Sequence, residues 1–520
     1  MLSHLHSLNV EALVPDCYAA YRPLIADAFR FFLVKLSPAR LRRVFEAQRA
    51  LRSGATTACR VVAVLRECPT LHKLGQVVAR DRRLDPHLRT RLQRLESMPP
   101  ATSMGDVERI LVRELGDPAG LGLSVGPAAL AEASVAVVVP FHSKEGEGVF
   151  KVLRPGVVER LDEELEIWSQ LGPRLDELSG VHGLPALDYA DTLDSVRDLL
   201  SHEVRLDREQ EHLRAAWDVY TTDADVHVPA VLPFCTPRVT AMERIHGSAL
   251  LAASRGAGIL PAGGGAGLQS GSSDLPARNP ARCGALRSRH LAERVIRALV
   301  ATPMWSDRSE ALFHADPHAG NLIADDRGGI AILDWALVGR LSKADRESLT
   351  QIIIGALLHD AAHIARAIAS LATSGPLSSG GPSDPSLFRV AVRALGAVRR
   401  GSALGLDWLI ALLDAAVRDA GVRFSPDLLM FRKVLLTLEG VVADLCPGFS
   451  ADGVLAAAAV RRLAGEWPAR MWASPFSRAF STHVSAADVA AAMVQAPVAA
   501  LRFWSAWSRE ALGASGEGAA

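Results

Sequence analysis

Apolar residues recur at helical spacing from about residue 18 to 66, where Leu24, Ala28, Phe31, Phe32 and Leu36 are separated by polar positions. Ser37-Pro38 marks a break and a new helix start. Cys68-Pro69 opens the segment Leu71-His72-Lys73-Leu74-Gly75-Gln76, in which Lys73 and Gln76 fall three apart and share a face if the segment is helical. On spacing alone, that face is an ordinary solvated one. Another helix is expected over Met104–Leu115, ending near Gly116-Asp117-Pro118.

The period then changes. Residues 135–139 and 149–153 are two β-rich runs joined by a polar turn, which reads as a hairpin with Lys151 between apolar neighbours on its second strand. Arg154-Pro155-Gly156 turns the chain into a helix over 157–171, and a further helix over 191–217 carries Glu203 and Glu209. Either glutamate could hold the strand lysine, and both also fit a solvated, salt-bridged face. Strands follow near 226–231 and 238–242. Residues 253–287, rich in Gly, Ser, Ala and Pro, read as a disordered insertion and not as a phosphate-binding glycine loop, since no strand feeds them. Helix resumes at 288–303. Beyond Leu341 the chain is expected to be helical over 343–373, 386–399, 404–421, 426–445 and 452–470, with a flexible break at 374–385 and a disordered tail from 513.

Composition changes this picture little. The 520 residues hold 57 Lys+Arg against 57 Asp+Glu, so no global field recruits nucleic acid or an anionic membrane. A hydrophobic content of 49% with 5% aromatics suggests a helix-rich globular protein of more than one module. The six cysteines show no C-x-x-C spacing and are expected to be reduced, consistent with a cytoplasmic compartment. No signal peptide and no spanning helix are expected, and oligomeric state is not legible.

The chemistry concentrates in Phe313-His314-Ala315-Asp316-Pro317-His318-Ala319-Gly320-Asn321, followed by Leu333-Asp334-Trp335-Ala336. His314, Asp316 and Asn321 reproduce the H-x-D-x-x-x-x-N spacing of a kinase catalytic loop, and Asp334 closes an apolar run where kinases carry D-F-G. Phosphoryl transfer needs one carboxylate facing the attacking group, and an amide plus a second carboxylate gripping a metal. An H-x-x-x-H pair can also ligate zinc. Here Pro317 interrupts the pair without a third ligand nearby in sequence, so His314 and His318 read as loop-orienting residues.

Together with Lys73-Leu74-Gly75-Gln76, Ala131-Glu132-Ala133-Ser134, Val149-Phe150-Lys151-Val152 and Met242-Glu243, these motifs resemble the UbiB/AarF-type atypical kinase family over roughly residues 60–470. The resemblance implies an α+β, two-lobed protein-kinase-like fold with an N-terminal helical extension and a helix-rich C-lobe. The expected organisation is a helical segment at 1–66, the K-x-G-Q extension at 67–120, an N-lobe at 121–243, a C-lobe at 244–470 and a C-terminal helix and tail at 471–520. It implies ATP and Mg²⁺ as cofactors. Lys151 would meet the α/β-phosphates with Glu209 as its partner, Asn321 and Asp334 would hold the metal, and Asp316 would take the catalytic-base position.

By the same resemblance, Ala131, Ala133 and Ser134 would replace the kinase glycine-rich loop, with Met242 and Glu243 as the hinge. Lys73 and Gln76, faced by Glu203, would form the gating extension that disfavours protein substrates. The implied activity is an ATP-dependent phosphotransferase or ATPase supporting ubiquinone-type quinone or lipid metabolism, with a quinone precursor, a lipid or the membrane surface as partner. A nucleotide-binding pseudokinase scaffold and a small-molecule kinase are the alternatives. Residues 485–511 are the candidate membrane-surface helix.

Four departures from the family pattern bear on activity. Ala336 replaces the flexible glycine, Arg205 stands where an aspartate is usual, and Glu132 puts a carboxylate in the Ala-rich loop, where it is expected to weaken ATP binding. Val137 replaces a glutamine. The C-terminal anchor of some relatives is expected to be missing.

Overall fold

The computed structural model describes residues 8–79, 83–95, 102–184, 188–254, 280–325, 328–374, 385–399 and 404–494. The chain divides into two units. The first comprises Met1–Trp217, Pro229–Ile245 and Asp334–Ala336, and the second Asp218–Val228, His246–Leu333 and Leu337–Ala520.

In the first unit, helices α1 (Arg22–Lys35), α2 (Pro38–Arg49), α3 (Thr57–Glu67), α4 (Pro69–Val78) and α5 (Pro86–Gln93) precede the sheet. Ser37 ends in extended backbone and Pro38 opens α2, since proline lacks the N–H that a first helical residue leaves unbonded anyway. Phe32, Leu33, Val44, Val64 and Leu71 from these helices pack with Leu161 and Trp168 into one apolar cluster. α6 (Met104–Leu115) is capped by the Ser103 hydroxyl, which accepts from Asp106 N at 3.2 Å, and stops at Gly116, whose φ of 82° suits glycine.

The sheet is antiparallel. It comprises β1 (Ser124–Val125), β2 (Ala131–Glu132), β3 (Ala136–Ser143), β4 (Gly146–Leu153) and β5 (Val239–Glu243), in order β1-β3-β4-β5 with β2 also on β3. Alternation sends Val137, Val139 and Phe141 of β3 and Phe150 and Val152 of β4 to the face covered by Val107 and Leu111 of α6. The Phe141 and Phe150 rings stack with centroids 4.1 Å apart.

α7 (Val157–Val181) then runs past the expected end at 171, through Pro173. The expected helix over 191–217 is broken. α8 (Tyr189–Ser201) gives way to a 3₁₀ turn at His202–Val204, and α9 (Leu206–Tyr220) restarts in a new direction. The break places Glu203 in the turn and Glu209 in the first turn of α9.

In the second unit, the short strand Val226–His227 is followed by β6 (Gly247–Ala249) and α10 (Leu250–Ser254). α11 (Pro280–Ile296) begins eight residues before the expected 288. Of the expected insertion, residues 255–279 lie outside the described residues. A π-helical turn at Arg297–Ala301 leads to β7 (Glu310–His314).

β8 (Leu322–Asp325) and β9 (Ile330–Ile332) form an antiparallel pair, and strand Val226–His227 lies parallel to β9. β10 (Val338–Ser342) returns antiparallel to β7, opposing Val338 to His314. At Gly339 a Cβ would collide with the Phe313 ring, so only glycine allows that approach. The remaining helices are α12 (Lys343–Leu357), α13 (Ala361–Leu371), α14 (Pro385–Arg399), α15 (Leu406–Ala420), α16 (Pro426–Leu445) and α17 (Ala451–Arg470).

The expected helix over 343–373 is split into α12 and α13 at His359, where φ is +54° and the Asp360 carboxylate caps α13 by accepting from His363 N at 2.9 Å. Residues 375–384 and 495–520, which include the expected flexible break, most of the candidate surface helix and the tail, lie outside the described residues. No helix among the described residues is long and apolar enough to cross a membrane.

Candidate active site

In the first unit, strand β4 carries Lys151 inward, between Val138 of β3 and Thr240 of β5. Its ammonium donates to Glu209 Oε1 at 2.6 Å and to Asp334 Oδ1 at 2.8 Å. Burial alone would push the Lys151 pKa down, but Asp334 and Glu209 hold it well above its ordinary value. Burial pushes the Glu209 carboxyl up to about 7 against the pull of Lys151, with Asp334 adding a second push. Glu209 Oε2 is buried with no hydrogen-bond partner. The Asp334 side chain remains 43% exposed.

Asp334 itself sits at φ +55°, a left-handed conformation uncommon for a non-glycine residue. Among the described non-glycine residues, positive φ occurs only at Asp334, His359 and His483. Ala336 therefore does not occupy a glycine-only conformation, and the loss of the D-F-G glycine costs no backbone strain here. Trp335 is buried, and His212 Nδ1 lies 3.1 Å from its carbonyl oxygen.

The other residues singled out in the first unit fall into place around the sheet. Ala131 opens β2, Ala133 N donates to Ala136 O at 2.8 Å, and Ser134 is buried. Met242 and Glu243 end β5, where Glu243 N donates to Ala230 O at 2.9 Å. Lys73 on α4 meets Glu203 at 2.8 Å. Gln76 does not join them; it donates to Leu95 O at 3.3 Å.

One expectation is corrected. Glu132 does not present a bare charge to the loop. Its side chain is turned inward, paired with Arg154 at 3.1 Å and accepting from Thr102 N at 2.8 Å. The Arg205 guanidinium folds back on Asp207 at 2.7 and 3.0 Å.

In the second unit, the loop after β7 is held by its own polar groups. His314 is buried, with Nε2 3.0 Å from Leu333 O and Nδ1 accepting from Asp316 N at 3.1 Å. Asn321 is also buried and donates its amide N–H to Asp316 O at 3.1 Å. His318 Nδ1 accepts from Gly320 N at 3.0 Å. Its Nε2 lies 3.9 Å from Asp316 Oδ2.

Beside Asp316 stands Lys433 of α16, its ammonium 3.4 Å from Oδ1. The two are 117 residues apart in sequence, and no motif around Lys433 announces the pairing. Sequence reasoning also missed the cluster behind α4. Glu164 of α7, fully buried, accepts from Arg40, from Thr70 N at 2.8 Å and from Thr70 Oγ1 at 2.7 Å. The one sequence signal was a pair of charges with apolar residues at helical spacing, Leu36 and Val44 for Arg40 and Leu161, Ile167 and Trp168 for Glu164.

The structure therefore assembles Lys151, Glu209 and Asp334 in one cluster and Lys73 with Glu203 in another, while the backbone of Asp316 and the side chain of Asn321 are joined in the second unit. The carboxylates and the amide oxygen are hard oxygen donors of the kind that suit Mg²⁺.

The profile of the ABC1 atypical kinase-like domain matches residues 94–368, more than half of the chain. An uncharacterized protein of Mycobacterium tuberculosis, Rv0647c, is 28% identical over 306 residues, covering 56% of this chain and 54% of that one. The chain thus spans about half the length of that relative. A probable protein kinase UbiB of Azotobacter vinelandii is 26% identical over 414 residues, covering 76% of this chain and 69% of that one. Among solved structures, that of the M. tuberculosis protein Rv3197 in complex with erythromycin shares 18% identity, with a TM-score of 0.46 over 80% of this chain and 94% of that one. With the profile covering the sheet, the Lys151 cluster and the His314–Asn321 loop, the chain belongs to the ABC1 atypical kinase-like family.

Proposed function

We propose that the protein binds Mg-ATP and transfers or hydrolyses its γ-phosphoryl group in the service of isoprenoid quinone or lipid metabolism. The observation that carries this reading is the Lys151 ammonium, buried and held between Glu209 and an exposed Asp334 in left-handed backbone. A cation kept charged in that way is suited to phosphate oxygens, and the half-exposed carboxylate beside it to a metal.

When bound, Mg²⁺ would neutralise charge on the phosphates; Asp334 and Asn321 are the residues proposed to hold it. Glu209 keeps Lys151 aimed, and its second oxygen, buried without a partner, leaves room for rearrangement when phosphate arrives. Asp316 is proposed as the base that accepts the proton of the attacking hydroxyl or water, with the Lys433 ammonium beside it countering charge there. Lys73 and Glu203 are proposed to pin the K-x-G-Q helix as a gate against protein substrates. Ala131 to Ser134 are proposed to lie over the nucleotide, and Met242 and Glu243 to meet its base.

Two features that favoured a pseudokinase scaffold, Ala336 and Glu132, lose their force, since the first is unstrained and the second is paired away. The test is Mg-ATP hydrolysis by the wild type and Asp334→Asn, with and without liposomes and a phenolic quinone-precursor mimic. The reading expects turnover that falls by at least about a hundredfold in the variant, as loss of a metal carboxylate does. Equal turnover in both proteins would overturn it.

A further inference from the structure

Phosphoryl transfer needs positive charge in two places. One is at the phosphates that stay with the nucleotide. The other is at the phosphoryl group in flight, whose negative charge spreads over its three equatorial oxygens. On the reading proposed above, the first falls to Lys151 and Mg²⁺. For the second, the loop from His314 to Asn321 contains no lysine or arginine. The ammonium that stands at this loop comes from α16, 117 residues beyond Asp316. Lys433 Nζ lies 3.4 Å from Asp316 Oδ1 and 3.4 Å from Ala315 O. His318 is less suited, since its Nδ1 accepts from Gly320 N and its Nε2 lies 3.9 Å from Asp316 Oδ2, beyond hydrogen-bond reach.

Lys433 also differs from cations that hold this unit together. Arg432, its neighbour in sequence, turns to α15 and donates to Asp414 at 2.6 Å. Arg346 of α12 is buried and donates to Ser306 O at 2.8 Å and Ser342 O at 3.3 Å. The Lys433 contacts are longer than the roughly 2.7–2.9 Å of a firm charge-assisted bond. Its side chain is 42% exposed, whereas the Asp316 side chain that it faces is 13% exposed. Leu429 and Leu436, four positions before and three after it on the same strip of α16, are exposed as well, while Phe431, Val434 and Leu435 bury other faces of the helix. The strip beside Asp316 is therefore open. A lysine on a flexible four-carbon stem, loosely held at such an edge, contributes little to stability and can shift its ammonium by a short distance.

With the phosphoryl-transfer reading as its basis, we propose that Lys433 is a catalytic residue whose ammonium meets an oxygen of the γ-phosphoryl group as that group is transferred. The bond from the γ-phosphorus to the oxygen of departing ADP breaks, and a bond to the oxygen of the acceptor hydroxyl or water forms. The proton of that hydroxyl or water passes to Asp316, and Lys433 keeps its protons throughout. α16 thus supplies the cation that the loop lacks. This role goes beyond countering charge at Asp316, because the ammonium acts on the phosphoryl group directly.

The full chain is titrated with Mg-ADP by calorimetry, with and without aluminium fluoride, which takes the place of the phosphoryl group in flight. Aluminium fluoride is expected to tighten Mg-ADP binding by the wild type. Lys433→Met should bind Mg-ADP alone as the wild type does and lose at least about tenfold of that gain, the size of one charge-assisted contact. Lys433→Arg, which keeps the charge, should retain most of it. Asp316→Asn removes the carboxylate charge that Lys433 faces and should keep more of the gain than Lys433→Met. An equal loss in both would mean that Lys433 acts through Asp316, and would overturn the proposal. A wild type whose Mg-ADP affinity ignores aluminium fluoride contradicts phosphoryl transfer itself, and Lys433's role with it. A wild-type gain shared in full by Lys433→Met overturns the role of Lys433 alone.

Discussion

Two of the buried cation–carboxylate clusters in the first unit look alike in chemistry and differ in completion. In one, Arg40 faces Glu164, whose oxygens are taken up by Arg40 and by the N–H and hydroxyl of Thr70, with no exposure to solvent. In the other, Lys151 faces Glu209 and Asp334, yet one Glu209 oxygen has no partner and Asp334 is 43% exposed. A saturated cluster can only hold elements together, here α2, α4 and α7. An unsaturated one keeps a charge ready for something else. Burial raises both glutamate carboxyls above their ordinary value, so burial alone does not separate structure from function. The two clusters differ instead in the state of the remaining oxygens.

The comparison breaks most visibly at Arg40. Arg40→Ala strands Glu164 in the interior and is expected to destabilise the protein by about 3–5 kcal/mol in denaturant unfolding. Loss of less than about 1 kcal/mol would mean that the cluster is not structural.

Next in size is His72, on the same helix as Thr70. Burial holds its pKa at about 4, below the ordinary 6.5, and its Nε2 lies 3.0 Å from Leu95 O. A depressed histidine stabilises the fold fully above pH 6.5 and loses that contribution as pH falls toward 4, about 3 kcal/mol in all. His72→Gln keeps a donor but does not titrate. The stability difference between wild type and variant should therefore shrink across that window; a difference independent of pH would remove His72 from the account.

The smallest effect belongs to Lys73–Glu203, a partly buried pair still in reach of solvent and expected to contribute about 1 kcal/mol. Lys73→Ala should leave stability nearly unchanged and alter the choice of phosphoryl acceptor. An unchanged acceptor profile, with a protein substrate included, would count against the gate.

Local pattern carried much of this fold. α6 and α16 begin and end where capping residues and periodicity put them, and the β3–β4 hairpin follows from two β-rich runs and a polar turn. Breaks and long-range pairings were less legible. α7 runs past the expected end at 171 and through Pro173, because Gly172 lets the backbone of Ala190 come so close that a Cβ there would sit 2.8 Å from its Cα, and packing against α8 carries the helix through. The 3₁₀ turn at His202–Val204 leaves no proline or glycine signature, yet it sends Glu203 to Lys73 and Glu209 to Lys151.

The motif residues were readable because their spacing is fixed by chemistry within one loop. Arg40–Glu164 and Asp316–Lys433 are separated by 124 and 117 residues, and only the tertiary fold brings them together.

The most direct test of the account is the affinity for Mg-ATP, by calorimetry, of wild type and Lys151→Met, each with its unfolding midpoint measured alongside. If the incomplete cluster is held for nucleotide, Lys151→Met loses binding by at least about a hundredfold, roughly 2.7 kcal/mol, while it still unfolds cooperatively as a folded protein. Wild-type affinity in Lys151→Met would contradict the account and make this cluster, like the one at Arg40, a part of the scaffold.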